Sequence, residues 1–171
     1  MSRLDGLVNN ASLMSVLERR DWHLIPVDEW DRVQEVNLRG IFLCCKAVHP
    51  QMKDQGGGAI INISSGRFWS GTPNRLHYST SKAGVIGLAK GLARELLPSE
   101  ITVNCIAPSM AMTDLLDGMS AEYIADKKSR IPMGRLCTPE EIANVAAFIA
   151  SPACSFTTGQ VFDVTGGRAT W

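Results

Sequence analysis

The sequence of 171 residues lacks long apolar runs, an excess of charge of either sign and any paired-cysteine motif. Its longest apolar run, near residues 146–150, is far shorter than the roughly 20 residues that a helix needs to cross a bilayer. Lysine plus arginine and aspartate plus glutamate both number 17, so the formal net charge is zero. These absences argue against a membrane protein, and against a partner such as nucleic acid or an anionic membrane surface.

The cysteines and histidines show no pattern of a disulfide scaffold or a metal centre. None of the five cysteines forms a C-x-x-C pair, and most lie in apolar stretches, which favours buried, reduced thiols. The three histidines lack the spacing of metal ligands, so no metal site is predicted. The N-terminus leads directly into a strand pattern, unlike a secretory signal, and we therefore expect a cytoplasmic protein.

Strand and helix patterns alternate along the whole chain, and no linker, repeat or low-complexity stretch divides it. Strands are predicted at 4–9, 59–63, 101–106 and 160–164, and helices at 27–52, 78–97, 121–129 and from Thr138 to about Ser151. This alternation predicts one α/β domain over residues 1–171, with a mainly parallel, doubly wound sheet covered by helices on both faces.

The most specific chemical signal is formed by Ser65, Tyr78 and Lys82. Tyr78 and Lys82 lie four residues apart on one helix, and Ser65 ends a strand thirteen residues upstream of the tyrosine. A nearby ammonium favours the phenolate form of a tyrosine whose ordinary pKa is about 10. A serine hydroxyl could fix the oxygen of a carbonyl or alcohol substrate beside it. The three residues therefore predict a proton-transfer site.

Tyr123 and Lys127 share the four-residue spacing but lack the upstream strand end. The residue thirteen positions before Tyr123 is Met110, which ends no predicted strand. The spacing alone is weak evidence, and this second pair is interpreted as a solvated helix face.

The predicted helices also raise the question of a partner subunit. The helix that begins at Tyr78 and ends at Leu97 is apolar over a broad arc, more than one sheet can cover. A symmetric homo-oligomer that uses this helix and the one from Val27 to Met52 would bury the remainder. Extra packing within one chain explains the pattern equally well.

Five motifs occur in an order that resembles the short-chain dehydrogenase/reductase family. They read N-N-A-S at 9–12, V-N-L at 36–38, N-I-S-S at 62–65, Y-S-T-S-K at 78–82 and V-N-C-I-A-P at 103–108, with Thr113 behind the last. The chain looks most like the 3-oxoacyl-carrier-protein reductases and related alcohol or sugar dehydrogenases, over essentially its full length.

The resemblance implies NAD or NADP as cofactor and a carbonyl or secondary alcohol as substrate. It implies that Tyr78 acts as the acid/base. Lys82 would lower the pKa of the tyrosine and hold the nicotinamide ribose, and Ser65 would position the carbonyl. Asn37 would hold a water that links Lys82 to solvent. The implied cofactor-binding residues are Asn10, Ala11, Tyr78, Lys82, Pro108, Ala111 and Thr113. Taken singly, Asn37 could bend a helix, Ser65 could close a strand and Thr113 could cap a helix.

The same resemblance implies that one part of the family pattern is missing. The family opens with a strand, a Thr-Gly-x-x-x-Gly-x-Gly turn and a helix that cradles the pyrophosphate. The first strand here resembles the family's fourth, so we expect a partial, Rossmann-like doubly wound sheet with the N-terminal strands 1–3 missing. Two functions remain open: an NAD(P)-dependent oxidoreductase, or a catalytically silent fragment or oligomer-assembly partner that does not bind the dinucleotide by itself.

The substrate is not specified by the sequence. Residues 67–69, 75–77 and 110–133 are expected to line the pocket, and their aromatic and basic groups would suit a sugar, a keto ester or an acyl thioester. Arg67, Arg75 and His77 are each interpreted, when taken alone, as solvated loop residues.

Overall fold

The computed structural model describes residues 3–169, apart from the side chain of Leu115. Its strands are Gly6–Asn9 (β1), Gly58–Ile63 (β2), Ile101–Pro108 (β3) and Val161–Val164 (β4). Its helices are Val27–Gln34 (α1), Gly40–Asp54 (α2), Arg67–Ser70 (α3), Leu76–Glu95 (α4), Ala121–Ser129 (α5) and Pro139–Ala150 (α6). Short 3₁₀ turns occur at Trp22–Leu24, Leu97–Ser99, Asp114–Leu116 and Pro152–Cys154.

The strands form one parallel sheet in the order β1-β2-β3-β4. The apolar residues of β2 alternate between its faces, as the pleat requires. Ile60 packs into a cluster with residues of α2 and α4, whereas Ile61 packs on the other face with Ile149 of α6. Helices therefore cover both faces, and the predicted doubly wound parallel architecture is confirmed.

Two predicted features of the helices are confirmed at residue level. Helix α5 has the predicted bounds, and Thr138 caps α6 through a capping box with Glu141. In that box the Thr138 hydroxyl accepts from the Glu141 N–H, and the Glu141 carboxylate accepts from the Thr138 N–H.

The helix predicted over residues 27–52 is found as a continuous helical segment, but it is not α-helical throughout. Helices α1 and α2 are separated by a π-helical segment, Glu35–Arg39, and α2 continues to Asp54. Asn37 lies in the middle of that segment with a fully buried side chain. The wider turn of the π-helical segment thus coincides with a buried polar residue that forms hydrogen bonds outside its own helix. The apolar periodicity of the sequence does not reveal such a residue.

The other boundaries shift by a few residues. The helix predicted at 78–97 begins at Leu76 and ends at Glu95, because Pro98 falls in a separate 3₁₀ turn. Strand β1 starts two residues later than predicted, and β3 extends two residues further. Among residues 3–169, β1 pairs with β2 alone, so its other side is an edge of the described sheet. No helix within this range is both long and apolar enough to span a bilayer.

Candidate active site

Two hydrogen bonds tie the carboxyl end of β2 to helix α4. The Ser64 hydroxyl donates to the backbone carbonyl of Lys82 at 2.8 Å. In return, Nζ of Lys82 donates to the backbone carbonyl of Ile63, also at 2.8 Å. Because Ser64 and Lys82 are both buried, these bonds hold the strand end and the first turns of α4 in fixed register.

That register brings Ser65 and Tyr78 together. Ser65 is near enough to Tyr78 to lower the pKa of its hydroxyl, and Oγ of Ser65 accepts from the backbone N–H of Arg67 at 3.2 Å. Gly66, between them in the turn, donates its N–H to the carbonyl of Pro108 at 2.9 Å. The ends of β2 and β3 thus meet the start of α4 at the predicted serine-tyrosine pair.

Lys82 does not lower the Tyr78 pKa in this structure, contrary to the expectation from the sequence. Burial raises the pKa of Tyr78 above its ordinary value, and this outweighs the lowering effects of the Ser65 hydrogen bond, Arg67 and Arg75. Nζ of Lys82 lies 5.9 Å from the centroid of the tyrosine ring and is engaged by the Ile63 carbonyl. Burial also lowers the pKa of Lys82 to about 8. The dry surroundings of both groups therefore dominate their ionisation.

Asn37 acts on the loop after β1 through its side chain. Its Oδ1 accepts from the Leu13 N–H at 2.6 Å, and its Nδ2 donates to the Leu13 carbonyl and to Oγ of Ser81, both at 3.1 Å. Both Nδ2 hydrogens are thereby used and Oδ1 accepts one bond, and none of these bonds reaches Lys82. The water-holding role of Asn37 stays a prediction.

Tyr78 and Ser65 line a cavity of about 290 Å³ at the carboxyl edge of the sheet. Pro108, Ala111 and Thr113, three of the residues expected to contact the cofactor, line the same cavity. In a parallel α/β sheet, this edge is where ligands bind.

The remaining predicted site residues lie outside the cavity lining. Asn10 and Ala11 are exposed after the end of β1, while Asn37 and Lys82 are buried behind the cavity wall. Thr113 occupies the N-cap position of the turn Asp114–Leu116 but makes no side-chain cap bond there.

The interpretation of Tyr123 and Lys127 as a solvated helix face is wrong. Both line the cavity. The Lys127 side chain is 14% exposed, and its Nζ lies 4.4 Å from the centroid of the Tyr123 ring. Nη2 of Arg19 donates to the Tyr123 hydroxyl at 3.1 Å. Two tyrosines thus line the cavity, and it is Tyr78 that lies beside Ser65.

The solvated-loop interpretation also fails for Arg75 and His77. His77 is fully buried, with Nε2 3.2 Å from a carboxylate oxygen of Glu29. Nη2 of Arg75 donates to the carbonyl of Leu17 at 2.9 Å, and Arg75 lines the cavity together with Arg67. These residues belong to packed structure around the site.

A buried asparagine pair next to the site was missed by sequence reasoning. Asn9 and Asn62 are register partners at the ends of β1 and β2, and Nδ2 of Asn9 donates to Oδ1 of Asn62 at 2.8 Å. The signal was present in the sequence, since Asn9 is the last residue and Asn62 the penultimate residue of an otherwise apolar strand. The bond holds the two strand ends together directly before the loops that reach the cavity.

The chain is similar to known proteins that are named reductases and dehydrogenases. The model of the enoyl-(acyl carrier protein) reductase family matches residues 1–169. The chain is 43% identical over 169 residues to a 3-oxoacyl-[acyl-carrier-protein] reductase of Synechocystis, with 97% of this chain and 65% of that protein covered. It is 42% identical over 146 residues to a 2-dehydro-3-deoxy-L-rhamnonate dehydrogenase (NAD(+)) of Sphingomonas, with 85% and 59% covered.

A solved structure is similar over nearly the whole chain. The 3-ketoacyl-(acyl-carrier-protein) reductase from Brucella melitensis, complexed with NADH, superposes with a TM-score of 0.89 at 34% identity. The match covers 98% of this chain and 68% of that one. The chain spans 65% of the length of the Synechocystis relative.

Proposed function

This chain belongs to the short-chain dehydrogenase/reductase family, and on that premise we propose that it acts as an NAD(P)-dependent oxidoreductase. The reaction would transfer a hydride between the nicotinamide cofactor and a carbonyl or secondary alcohol substrate. The observation that carries the proposal is the proximity of Ser65 to Tyr78, which together line a cavity at the carboxyl edge of a parallel sheet.

Each polar group of the site has a defined task in this proposal. A substrate oxygen that enters the cavity meets two hydroxyls, and Ser65 fixes that oxygen while Tyr78 exchanges a proton with it. With its pKa raised, Tyr78 is a neutral donor near pH 7, the form required to protonate the oxygen of a carbonyl being reduced. Lys82, with a pKa of about 8, keeps most of its positive charge at that pH behind the tyrosine.

The residues present fit the nicotinamide end of the cofactor. Pro108, Ala111 and Thr113 line the wall next to Tyr78, and Lys82 is the group that would hold the nicotinamide ribose. When bound, the dinucleotide would supply or accept the hydride, while the protein supplies position and proton transfer.

Residues 3–169 do not fit the pyrophosphate end. The family cradle is a glycine-rich turn from a strand into a helix. Gly56 and Gly57 instead precede β2 and Gly58 begins it. The other glycine clusters lie within α4, at Gly84, Gly87 and Gly91, or after β4, at Gly166 and Gly167. This favours a second candidate function, a catalytically silent chain or oligomer-assembly partner that does not bind the dinucleotide by itself.

Titration of the purified chain with NADH and NADPH separates the two candidates. Micromolar binding of either nucleotide, followed by cofactor oxidation with a panel of small ketones, supports the oxidoreductase. Absence of binding up to millimolar concentration, with an intact fold by circular dichroism, supports the second candidate. The ratio of the two affinities would distinguish NAD from NADP.

We further propose that the chain is a cytoplasmic homo-oligomer that associates through α1, α2 and α4. A groove between these helices is lined by Leu38, Phe42 and Leu88, and the Phe42 side chain is 46% exposed. Burial of this groove against a second copy would remove apolar surface from water. Light scattering on the wild type and on a Phe42→Lys variant tests the idea, because the charge should shift the mass toward the monomer.

A further inference from the structure

The cavity beside Tyr78 has an unbalanced charge. Five basic side chains line it, and no aspartate or glutamate does. These cavity cations are Arg19, Arg67, Arg75, Lys127 and Arg168. The whole chain has no net charge, so the imbalance is local to this site.

The cavity arginines also lack carboxylate partners. In the described part of the chain, six arginines elsewhere form ion pairs, namely Arg3, Arg20, Arg32, Arg39, Arg130 and Arg135. None of the four cavity arginines has an ion pair within that same part, and Lys127 is paired only with its neighbour Asp126. Arg67, Arg75 and Arg168 are partly buried, whereas Arg19 is exposed. Partly buried cations without counter-charges are costly unless a ligand neutralises them.

The pKa values of two of these arginines reflect the cost of burying unpaired positive charges. Burial lowers the pKa of Arg67, and the like charges of Arg168 and Arg19 lower it further. Burial and the charge of Arg19 lower the pKa of Arg75 in the same way. These effects would be relieved by an anion among the guanidinium groups.

Unpartnered polar atoms occur in the same cavity lining. Oγ1 of Thr72, Nε of Arg75 and Oγ of Ser109 are buried and have no hydrogen-bond partner among the described residues. Buried polar atoms are normally satisfied, so an orphaned group needs an explanation. All three atoms are closed to solvent, so a ligand with several acceptor oxygens would reach them after rotation of these side chains.

We propose that the cavity binds an anionic group of the substrate, a carboxylate or a phosphate, on the same small molecule whose carbonyl or hydroxyl reaches Ser65 and Tyr78. This inference rests on the proposed function and names its substrate class as small oxo acids, hydroxy acids or their phosphorylated equivalents. Guanidinium groups bind both kinds of anion through paired N–H donors. A cavity of about 290 Å³ lies at the small end of ligand sites, which favours a compact molecule.

The test measures binding to the full chain without cofactor, by isothermal titration calorimetry at low and moderate salt. Levulinate is compared with its neutral methyl ester, and dihydroxyacetone phosphate with dihydroxyacetone. We expect the anion of the preferred pair to bind at least about tenfold more tightly than its neutral counterpart, since charge-assisted bonds are the strong ones. The preference should shrink as salt rises. The pair that shows it identifies carboxylate or phosphate.

The variants are Arg67→Gln and Arg168→Gln, with Lys128→Gln as the matched control. Lys128 is exposed on α5 next to a cavity cation, does not line the cavity, and its replacement removes the same unit of charge. The two arginine variants should weaken anion binding about tenfold or more, whereas the control should leave it unchanged.

Three outcomes overturn the inference. Equal affinities for anions and neutral counterparts do so, as does anion binding that survives both arginine variants. Loss of NADH affinity in these variants, with oxo-acid affinity intact, would assign the cations to the cofactor instead. Failure of the proposed function would give a different result. The chain would still bind anions more tightly than their neutral counterparts, but no carbonyl compound would be reduced when NADH or NADPH is added.

Discussion

The turn after Ser65 offers the sharpest test of how packing positions the site. A Cβ atom added at Gly66 would lie 2.7 Å from Cγ2 of Thr165, a methyl on a side chain that is only 2% exposed. The backbone of Gly66 has φ −57°, which alanine adopts without strain. The perturbation Gly66→Ala is therefore a steric test of one contact between the turn and the chain after β4.

The expected magnitude follows from two opposed effects. Replacing glycine at a compatible φ usually stabilises a protein by about 0.4–1 kcal/mol, because the unfolded chain loses freedom. Overpacking a tight interior usually costs about 1–3 kcal/mol. Thr165 is held by a hydrogen bond from its Oγ1 to Asp163 at 2.9 Å, so its methyl has little room to move. We expect Gly66→Ala to lower the free energy of unfolding by about 1–2 kcal/mol.

A double-mutant cycle with Thr165→Ser isolates the contact. Serine keeps the hydroxyl and removes only Cγ2, at a cost of about 1 kcal/mol for one buried methyl. In that background Gly66→Ala should be neutral or slightly stabilising, since the clashing atom is gone. The assay is equilibrium urea unfolding of the four proteins.

Gly40→Ala serves as the control for the glycine substitution itself. Its added Cβ would meet the Glu35 carbonyl oxygen at 3.6 Å, an ordinary contact, and helix propensity predicts a gain of up to about 1 kcal/mol. A wild-type or higher stability of Gly66→Ala, or simple additivity with Thr165→Ser, would refute the packing argument.

Three further predictions concern ionisation and buried polar groups. Between pH 8 and 10.5 the unfolded chain keeps the Lys82 proton that the folded chain has lost, so Lys82 alone should contribute a rise in stability on the order of 3 kcal/mol, whereas the raised pKa values of Cys45 and Cys105 act in the opposite direction; the difference between the pH profiles of the wild type and Lys82→Met should show the Lys82 contribution. Asn37→Leu should lower the free energy of unfolding by about 2 kcal/mol or more, because it leaves the N–H and carbonyl of Leu13 without their partner. The pKa of Glu141 is lowered to about 2, chiefly by the Arg135 ion pair, so stability should fall as pH drops from 4.5 toward 2, and Glu141→Gln should flatten that fall in acid unfolding curves.

Features encoded by local patterns were predictable from the sequence. The β-branched run of β2 and the Thr138 capping box depend on neighbouring residues, and both are found where predicted. The pairing of Ser65 with Tyr78 was predictable because a strand end and a helix start, thirteen residues apart, leave little freedom for the connection.

Features that depend on distant packing were not predictable in this way. The placement of Tyr123 and Lys127 in the cavity depends on how α5 folds over the sheet edge, which no local spacing encodes. The π-helical segment around Asn37 depends on a partner, Leu13, that lies 24 residues away. The raised pKa of Tyr78 reflects burial, whereas the sequence shows only that a lysine lies four residues away.

The central claim, that Tyr78 exchanges the proton in a hydride-transfer reaction, is tested most directly by kcat for cofactor oxidation in Tyr78→Phe and Tyr123→Phe. The two tyrosines line one cavity, and each precedes a lysine by four residues, but it is Tyr78 that lies beside Ser65. We predict that Tyr78→Phe lowers kcat by at least about a hundredfold, while Tyr123→Phe keeps most of it. A Tyr78→Phe protein that retains kcat within about threefold of the wild type, far less than the loss of an acid/base group causes, would contradict the account.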